Sequence, residues 1–213
     1  MSKKLIYLIR HGETEYNKLG IVQGSGVDSD LNETGQQQAF EFFKKYAEIP
    51  FQKIYTSALK RTHQTVVHFL EKGIPHEQLP ELNEISWGEK EGRIPNSKDD
   101  VLYADLLESW AKGETHRAAE GGESPEQVVE RQKVGLEKIL ANAEEDLILV
   151  AMHGRAMRIL LSHITQSELS TMDRFAHTNT CLYLLEYSYE TQSFEILVSN
   201  DSSHLEVKSN LIG

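Results

Sequence analysis

Cysteine is almost absent from this sequence of 213 residues, and long apolar segments are absent altogether. The single cysteine, Cys181, excludes a disulfide within the chain and lies in a strand-like run, where a buried and inert thiol is expected. No window approaches the ~20 apolar residues that a membrane-spanning helix needs. The first apolar run is broken by Arg10 and is shorter than the ~7 residues of a signal-peptide core. We therefore expect a cytosolic protein with no membrane partner.

The sequence also lacks an excess of positive charge. Its 22 Lys and Arg residues against 33 Asp and Glu residues give a formal net charge of −11, which argues against nucleic acid as a partner. A small anionic molecule is not excluded, because its binding depends on the local field. Arg10, Arg155 and Arg158 stand beside the two His-Gly turns described next.

Two short apolar runs each end in a histidine followed by glycine. Leu5–Ile9 precedes Arg10, His11 and Gly12, and Leu147–Met152 precedes His153 and Gly154. Runs of this length and composition are typical of buried strands. In a parallel sheet the carboxyl ends of the strands meet at one edge, where ligands bind. We therefore expect His11 and His153 to lie at one pocket.

Strand-like and helix-like segments alternate along the chain, which predicts an α/β fold. The expected architecture is a single domain with a doubly wound, mostly parallel sheet, flanked by helices and edged by an antiparallel pair. An amphipathic helix is predicted from Lys98 to Lys112, within a small helical cap over about residues 93–120. Helices are also predicted from Ala58 to Leu70 and after a cap at Ser124, and Leu79–Leu82 is predicted to be extended. A polar tail is predicted over about residues 201–213.

Five short motifs occur in a fixed order along nearly the whole chain, and together they resemble the histidine phosphatase superfamily, which includes cofactor-dependent phosphoglycerate mutases. They are Arg10–Thr14 with Asn17 and Gln23–Gly24, Ser57–Thr62, Leu82–Ile85 with Gly88 and Glu91–Gly92, Gly121–Ser124, and Met152–Gly154. The resemblance implies a phosphoglycerate mutase-like fold.

The resemblance also implies a covalent mechanism on a small phosphate ester. His11 would attack phosphorus and become a phosphohistidine, for which a neutral imidazole is a competent nucleophile. Arg10, Arg61 and His153 would stabilise charge on the phosphoryl oxygens. Glu84 would protonate the departing alkoxide and later deprotonate water. This inventory needs no metal and no cofactor.

Further positions match phosphate contacts of the family or compete for the same roles. The binding set implied by the resemblance is Arg10, Asn17, Gln23, Gly24, Arg61 and Gly154. The acids near Glu84 that compete for its role are Glu81, Glu89 and Glu91. The basic residues that are candidates for binding additional negative charge are Lys90, Arg93, Arg117, Arg155, Arg158 and Arg174. No catalytic or binding role is expected for the remaining histidines, which are His63, His68, His76, His116, His163, His177 and His204.

Some positions depart from the family pattern. Asp30 and Asn32 stand where the family has proline and threonine, and Asn32 retains the ability to cap a helix. The segment between Gly92 and Gly121 is shorter than in the mutases and lacks their adjacent arginines. Arg155 replaces the asparagine that mutases usually have after the second His-Gly. These departures favour the phosphatase branch, that is, a histidine acid-type phosphatase or phosphoric monoester hydrolase.

Three alternatives remain open. The first is phosphoglycerate mutase activity in the same pocket. The second is a phosphate-binding module without turnover, which the presence of both His11 and Glu84 disfavours. The third is a metal site, for which the sequence offers neither a His-Glu-x-x-His helix nor paired cysteines.

Overall fold

A six-stranded sheet forms the centre of the molecule in the computed structural model, which describes residues 3–94 and 97–206. The strand order is β3-β2-β4-β1-β5-β6. The first four strands are parallel to one another, and the last two add an antiparallel edge. The predicted fold class is confirmed. The strands are β1 (Lys3–Arg10), β2 (Lys53–Thr56), β3 (His76–Gln78), β4 (Leu147–Met152), β5 (Leu182–Ser188) and β6 (Ser193–Asp201).

The register between β1 and β4 places the two His-Gly turns side by side. Arg10 is paired with Met152 at the carboxyl ends of these parallel strands. The backbone N–H of His11 donates to the Met152 carbonyl at 3.0 Å. His11 and His153 therefore leave the sheet at the same edge, as predicted.

Helices cover both faces of the sheet. One face packs Leu8 and Val150 against Met157 and Leu160, and the other packs Ile9, Ile54 and Leu149 against Phe42 and Phe69. Burial on both faces explains why β1 and β4 read as continuous apolar runs. The helices are α1 (Glu15–Lys18), α2 (Glu33–Tyr46), α3 (Lys60–Thr65), α4 (Val67–Leu70), α5 (Ser97–Ala111), α6 (Pro125–Leu140) and α7 (Gly154–Ile164).

The helix starts follow the predicted capping residues. The Asn32 side chain accepts a hydrogen bond from the Gly35 N–H at 2.8 Å. Ser124 and Gln127 form a reciprocal capping box at the start of α6, so two otherwise unpaired backbone N–H groups are satisfied.

Two segments differ from the sequence prediction. The helix predicted from Ala58 to Leu70 is divided at Val66 into α3 and α4. In this stretch the hydroxyls of Thr62 and Thr65 bond back to helix carbonyls, and such bonds weaken a helix. The segment Leu79–Leu82, which is predicted to be extended, contains a 3-10 helix (Pro80–Leu82). The extended segment in this region is β3, which ends at Gln78, just before it. The sequence of β3 is His-Glu-Gln, so no apolar run predicts a strand there.

The helix α5 packs over the site edge of the sheet through a third apolar cluster. Leu106 and Trp110 of α5 are buried against Ile85 and Trp87. No helix among the described residues is both long and apolar enough to cross a membrane.

The end of the chain is structured further than the sequence predicts. The strand β6 reaches Asp201 and a 3-10 helix follows at Ser203–Leu205, so the polar tail predicted from residue 201 needs correction over these positions. The reason is His204, whose ring is buried edge-on against Phe42 and whose Nε2 contacts the Thr180 hydroxyl at 2.9 Å. The remainder of the predicted tail, 207–213, lies outside the described residues.

We expect His204 to make the fold sensitive to mild acid. Burial lowers its pKa to about 4, whereas a histidine in an unfolded chain titrates near 6.5. Between these values only the unfolded state binds the proton, so stability is full above pH ~6.5 and falls as the pH decreases. At pH 5 this loss amounts to about 2 kcal/mol. In His204→Gln the drop in unfolding free energy between pH 7.5 and pH 5, measured by urea denaturation, should be smaller by about that amount.

The matched control is His116→Gln, which changes an exposed histidine. This control should lose as much stability on acidification as the unaltered protein. An equally large loss in His204→Gln would contradict the prediction.

Candidate active site

A cavity of about 250 Å³ opens at the carboxyl ends of β1 and β4. The rings of His11 and His153 lie beside it with centroids 5.2 Å apart. Its walls come from the loops after β1, from the first turns of α7, from the loop that carries Glu84 and from α5. The lining residues are Arg10, His11, Asn17, Ile21, Val22, Gln23, Glu84, Trp87, Tyr103, Gly154, Arg155, Arg158 and His177.

His11 is held as a neutral imidazole with one nitrogen free. Its Nδ1 lies 2.7 Å from the Gly12 carbonyl oxygen, and since a carbonyl only accepts, Nδ1 carries the proton. The other nitrogen, Nε2, makes no hydrogen bond within the described residues. Burial, followed by the charges of Arg61 and Arg10, lowers the pKa of His11 well below 6.5. The lone pair on Nε2 is therefore available near neutral pH.

Arg10 is anchored by a histidine that sequence reasoning took as ordinary. Its Nη1 donates to Nδ1 of His177 at 3.1 Å, while its buried Nε has no partner among the described residues. Burial, followed by the charge of Arg10, lowers the pKa of His177 to about 3, so this ring is neutral and can accept the bond. The unpartnered N–H of Arg10 is a donor that a bound anion would satisfy.

Arg61 and His153 lie beside His11, but neither lines the cavity. Both are completely buried. The Arg61 Nε donates to His153 Nδ1 at 3.1 Å, and its two terminal nitrogens donate to the carbonyls of Val27 and Gly24. Burial lowers the pKa of Arg61 to about 10, so it stays charged at neutral pH.

His153 uses both ring nitrogens inside the protein. Because Nδ1 accepts from Arg61, its proton is on Nε2, which lies 2.8 Å from the Ser57 hydroxyl oxygen. Burial, followed by the charge of Arg61, lowers the pKa of His153 well below 6.5. His153 therefore orients Arg61 in the structure, and its predicted role in stabilising charge on the phosphoryl oxygens stays a prediction.

Glu84 lines the cavity and is held against the first turn of α7. Its two carboxylate oxygens accept hydrogen bonds from the backbone N–H groups of Ile85, Arg155 and Ala156 at 2.8 to 3.0 Å. Arg131 fixes the backbone of this loop by donating to the Glu84 carbonyl at 3.1 Å. The carboxyl group is therefore held at the N-terminus of α7.

The three acids that competed with Glu84 have other positions. Glu81 pairs with Lys138 at 2.5 Å, and Glu89 is exposed beside Arg93. The Glu91 carboxylate accepts from the backbone of Gly26 and Trp87. Glu84 alone of the four lines this cavity.

The remaining predicted contacts divide into two groups. Asn17 lines the cavity, and its amide oxygen accepts from Thr14 and Asn179. Its NH₂ group has no acceptor in the part of the chain that the structure describes. Gly154 also lines the cavity, and a Cβ there would lie 2.8 Å from His177 Cε1.

Gln23 also lines the cavity and is held there by two polar side chains. The Gln23 amide bonds Thr14 and Ser29 at 2.7 Å each. Gly24 does not line the cavity, and its carbonyl holds Arg61. A Cβ on Gly24 would lie 2.4 Å from the Ile85 carbonyl oxygen, so the close approach of these two loops requires glycine.

The sequence matches the profile of the histidine phosphatase superfamily (branch 1) over residues 6–201. The chain belongs to this superfamily. It is a phosphatase or mutase-like enzyme of that group.

Relatives of both kinds occur within the histidine phosphatase superfamily. A probable phosphatase of Schizosaccharomyces pombe is 27% identical, over 94% of this chain and 95% of its own length. The probable phosphoglycerate mutase GpmB of Erwinia tasmaniensis is 29% identical over 94% of both chains. The solved structure of Bacillus stearothermophilus YhfR is 26% identical with a TM-score of 0.84, over 95% of this chain and all of that one.

This superfamily site contains residues that the sequence analysis did not select. Ser57 is the first residue of the motif Ser57–Thr62, but it contacts His153, which lies 96 residues away in the sequence. His177 and Asn179 precede β5 and reach the cavity edge only because β5 pairs with β1. No local pattern marks them. Trp87 is buried against Tyr103 and Trp110 and also borders the cavity.

Proposed function

We propose that the protein is a metal-independent phosphate monoester hydrolase that acts through a phosphohistidine on His11. The observation that carries this proposal is the state of His11. It is neutral, its Nδ1 proton is committed to the Gly12 carbonyl, and it lines the cavity together with Arg10, whose buried Nε has no partner among the described residues.

In the first step His11 Nε2 forms a bond to phosphorus and the P–O bond to the alcohol breaks. The departing alkoxide takes a proton from Glu84, which must enter this step as the carboxylic acid. Arg10 Nε, the NH₂ group of Asn17 and the first turn of α7 at Gly154 are available to the phosphoryl oxygens. Phosphoryl transfer depends chiefly on such positioning and charge stabilisation.

In the second step water attacks the phosphohistidine and the N–P bond breaks. Glu84, now a carboxylate, takes the proton of the attacking water. Phosphate leaves, and His11 regains its lone pair. Arg61 contributes its positive charge from beside His11 and is oriented by His153, Val27 and Gly24. All of these groups belong to the chain itself, so the scheme requires no cofactor.

A phosphoglycerate mutase is the second candidate, favoured by the similarity to GpmB. In that reaction the phosphohistidine returns its phosphoryl group to a hydroxyl of a bound acid instead of water. The segment between Gly92 and Gly121 favours the hydrolase, because it lacks the adjacent arginines expected of mutases. A small phosphate ester in the cytosol is the proposed substrate.

The test is phosphate release from a panel of phosphate monoesters in the presence of EDTA. Release of phosphate in equal amounts with the alcohol supports the hydrolase. Isomerisation of phosphoglycerate without release would replace it with the mutase. Binding of inorganic phosphate without turnover of any ester would indicate a binding module, and activity lost to EDTA would overturn the metal-free mechanism.

A further inference from the structure

His177 lies in the wall of the cavity, next to two groups that are available to the phosphoryl oxygens. It belongs to the loop that precedes β5, and it lines the cavity. Its Nδ1 is 3.1 Å from Nη1 of Arg10. Its ring lies against the first residue of α7, because a Cβ on Gly154 would be 2.8 Å from Cε1 and 3.1 Å from Nε2. The ring therefore stands beside both Arg10 and the start of α7.

The contact with Arg10 fixes the tautomer of the His177 ring. A guanidinium only donates, so Nδ1 accepts and the proton is on Nε2. The ring carries no charge at neutral pH, since burial, followed by the charges of Arg10, Arg158 and Arg155, lowers its pKa to about 3. His177 is therefore a neutral side chain whose one N–H group is at Nε2.

This N–H group has no acceptor in the part of the chain that the structure describes. It is not among the fully buried polar atoms that lack a partner, whereas Nε of Arg10 is one of them. Both residues line the cavity, and each has an N–H group that the described residues leave unpaired. A phosphoryl group has oxygen acceptors for both, and an unpaired donor beside a cavity is costly until such an acceptor is bound.

Arg10 strengthens this donor through the ring. A hydrogen bond from a positively charged group to Nδ1 polarises the imidazole, which makes the N–H at Nε2 a better donor. The ring supplies a directed N–H group without a further positive charge in a cavity that Arg10, Arg155 and Arg158 already line. The other four basic residues that were candidates for binding additional negative charge do not line it.

We propose that His177 is a further catalytic residue, which donates a hydrogen bond from Nε2 to a non-bridging oxygen of the reacting phosphoryl group while its Nδ1 holds Arg10. This inference rests on the proposed function and adds one donor to the groups that stabilise the phosphoryl oxygens. The proton stays on Nε2 throughout, so His177 forms and breaks no covalent bond. Because every ester shares the phosphoryl group, the contribution of this donor does not depend on the alcohol.

Two substitutions separate this donor from the support of Arg10. His177→Asn keeps an amide oxygen near the position of Nδ1, where it can accept from Arg10, and removes the N–H at Nε2. His177→Phe keeps a planar ring against Gly154 and removes both nitrogens. In EDTA, kcat/KM of His177→Asn should fall by about 10 to 100-fold, the size expected for a hydrogen bond to a charged group. The loss should be equal for propyl phosphate and p-nitrophenyl phosphate, and His177→Phe should lose at least as much.

Binding of inorganic phosphate tests the same contact without turnover. Calorimetry should show that His177→Asn binds phosphate about tenfold more weakly than the unaltered protein. In the unaltered protein, labelled with the heavy nitrogen isotope in histidine, the NMR signal of the His177 N–H should move downfield when phosphate is added. Its absence from His177→Asn identifies this signal.

His163→Asn is the control for these measurements. His163 is also half-buried, but it lies in the last turn of α7 and does not line the cavity. Its substitution should leave kcat/KM, the affinity for phosphate and the shift of the His177 signal unaltered.

Unaltered kcat/KM in His177→Asn, together with a loss in His177→Phe, would reduce His177 to a support of Arg10 and overturn the donor. A loss on one ester alone would overturn the assignment to the phosphoryl group. A His177 N–H signal that does not move with phosphate would overturn the proposal even if both variants fail to fold. Failure of the proposed function is distinct, because the unaltered protein would then release no phosphate from either ester, while binding of inorganic phosphate still decides the contact with His177.

Discussion

His11→Ala is expected to lower kcat/KM for phosphate ester hydrolysis by at least about 10⁴-fold, the scale seen when a nucleophile is removed. Alanine leaves no lone pair to form the bond to phosphorus, and water in its place lacks the positioning that the Gly12 carbonyl gives to the ring. The measurement is steady-state phosphate release with and without the substitution. Rapid quenching with a radiolabelled ester should trap an acid-labile, base-stable phosphoenzyme only when His11 is present.

His68→Ala is the matched control for this substitution. His68 lies at the protein surface on α4, where it contacts Glu71 at 3.1 Å, and its loss should leave both the rate and the trapped intermediate unaltered. Retention of the radiolabel by His11→Ala would assign the phosphoryl group to another residue. Such a result would remove the basis of the proposed mechanism.

Glu84→Gln is expected to lower kcat/KM most for the esters with the poorest leaving groups. For an alkyl phosphate kcat/KM should fall by about 10² to 10⁴-fold, the usual contribution of a general acid. For p-nitrophenyl phosphate the first step should be far less impaired, because nitrophenolate departs without protonation. The second step, which needs a base, should then become limiting. Stopped-flow absorbance should show a burst of nitrophenolate equal to the enzyme concentration, with phosphohistidine accumulating.

Glu84 also stabilises the start of α7, because it accepts hydrogen bonds from the backbone N–H groups of Arg155 and Ala156. The structural effect of Glu84→Gln must therefore be measured separately from its effect on catalysis. A thermal melt measures the structural loss, and the contrast between the two leaving groups measures the chemical loss. Glu89→Gln changes an exposed acid five positions away and serves as the control. Equal losses on both esters without a burst would exclude Glu84 as the acid and base.

The central part of the fold is predictable because its signals are local. The apolar runs of β1 and β4 are long enough to identify buried strands, and parallel pairing of such strands carries His11 and His153 to one edge. The start of α6 is equally predictable, since Ser124, Pro125 and Gln127 act within one turn. In these cases the residues that form the structure are close in sequence.

The supporting contacts of the site are not predictable in this way. Two examples are the contact of His153 Nε2 with Ser57 and the hydrogen bond from Arg10 to His177. Both depend on how loops pack over the sheet edge. The motifs indicate which side chains lie at the site, but not which of them line the cavity and which contact only other side chains. They therefore predicted Arg61 and His153 as cavity residues, whereas both lie fully buried beside His11.

The position of β1 within the sheet has a consequence for synthesis of the chain. This strand is synthesised before the other five strands of the described sheet, yet its two neighbours in the sheet are β4 and β5. Its pairing with β5 extends to Ser188, so most of the chain must be made before both edges of β1 are covered. Until then an apolar strand that carries the proposed nucleophile has exposed backbone groups and is open to aggregation. Because His11 follows β1 and His153 follows β4, the site is complete only once these two strands are paired, so activity that recovers during refolding reports a pairing between segments far apart in the sequence.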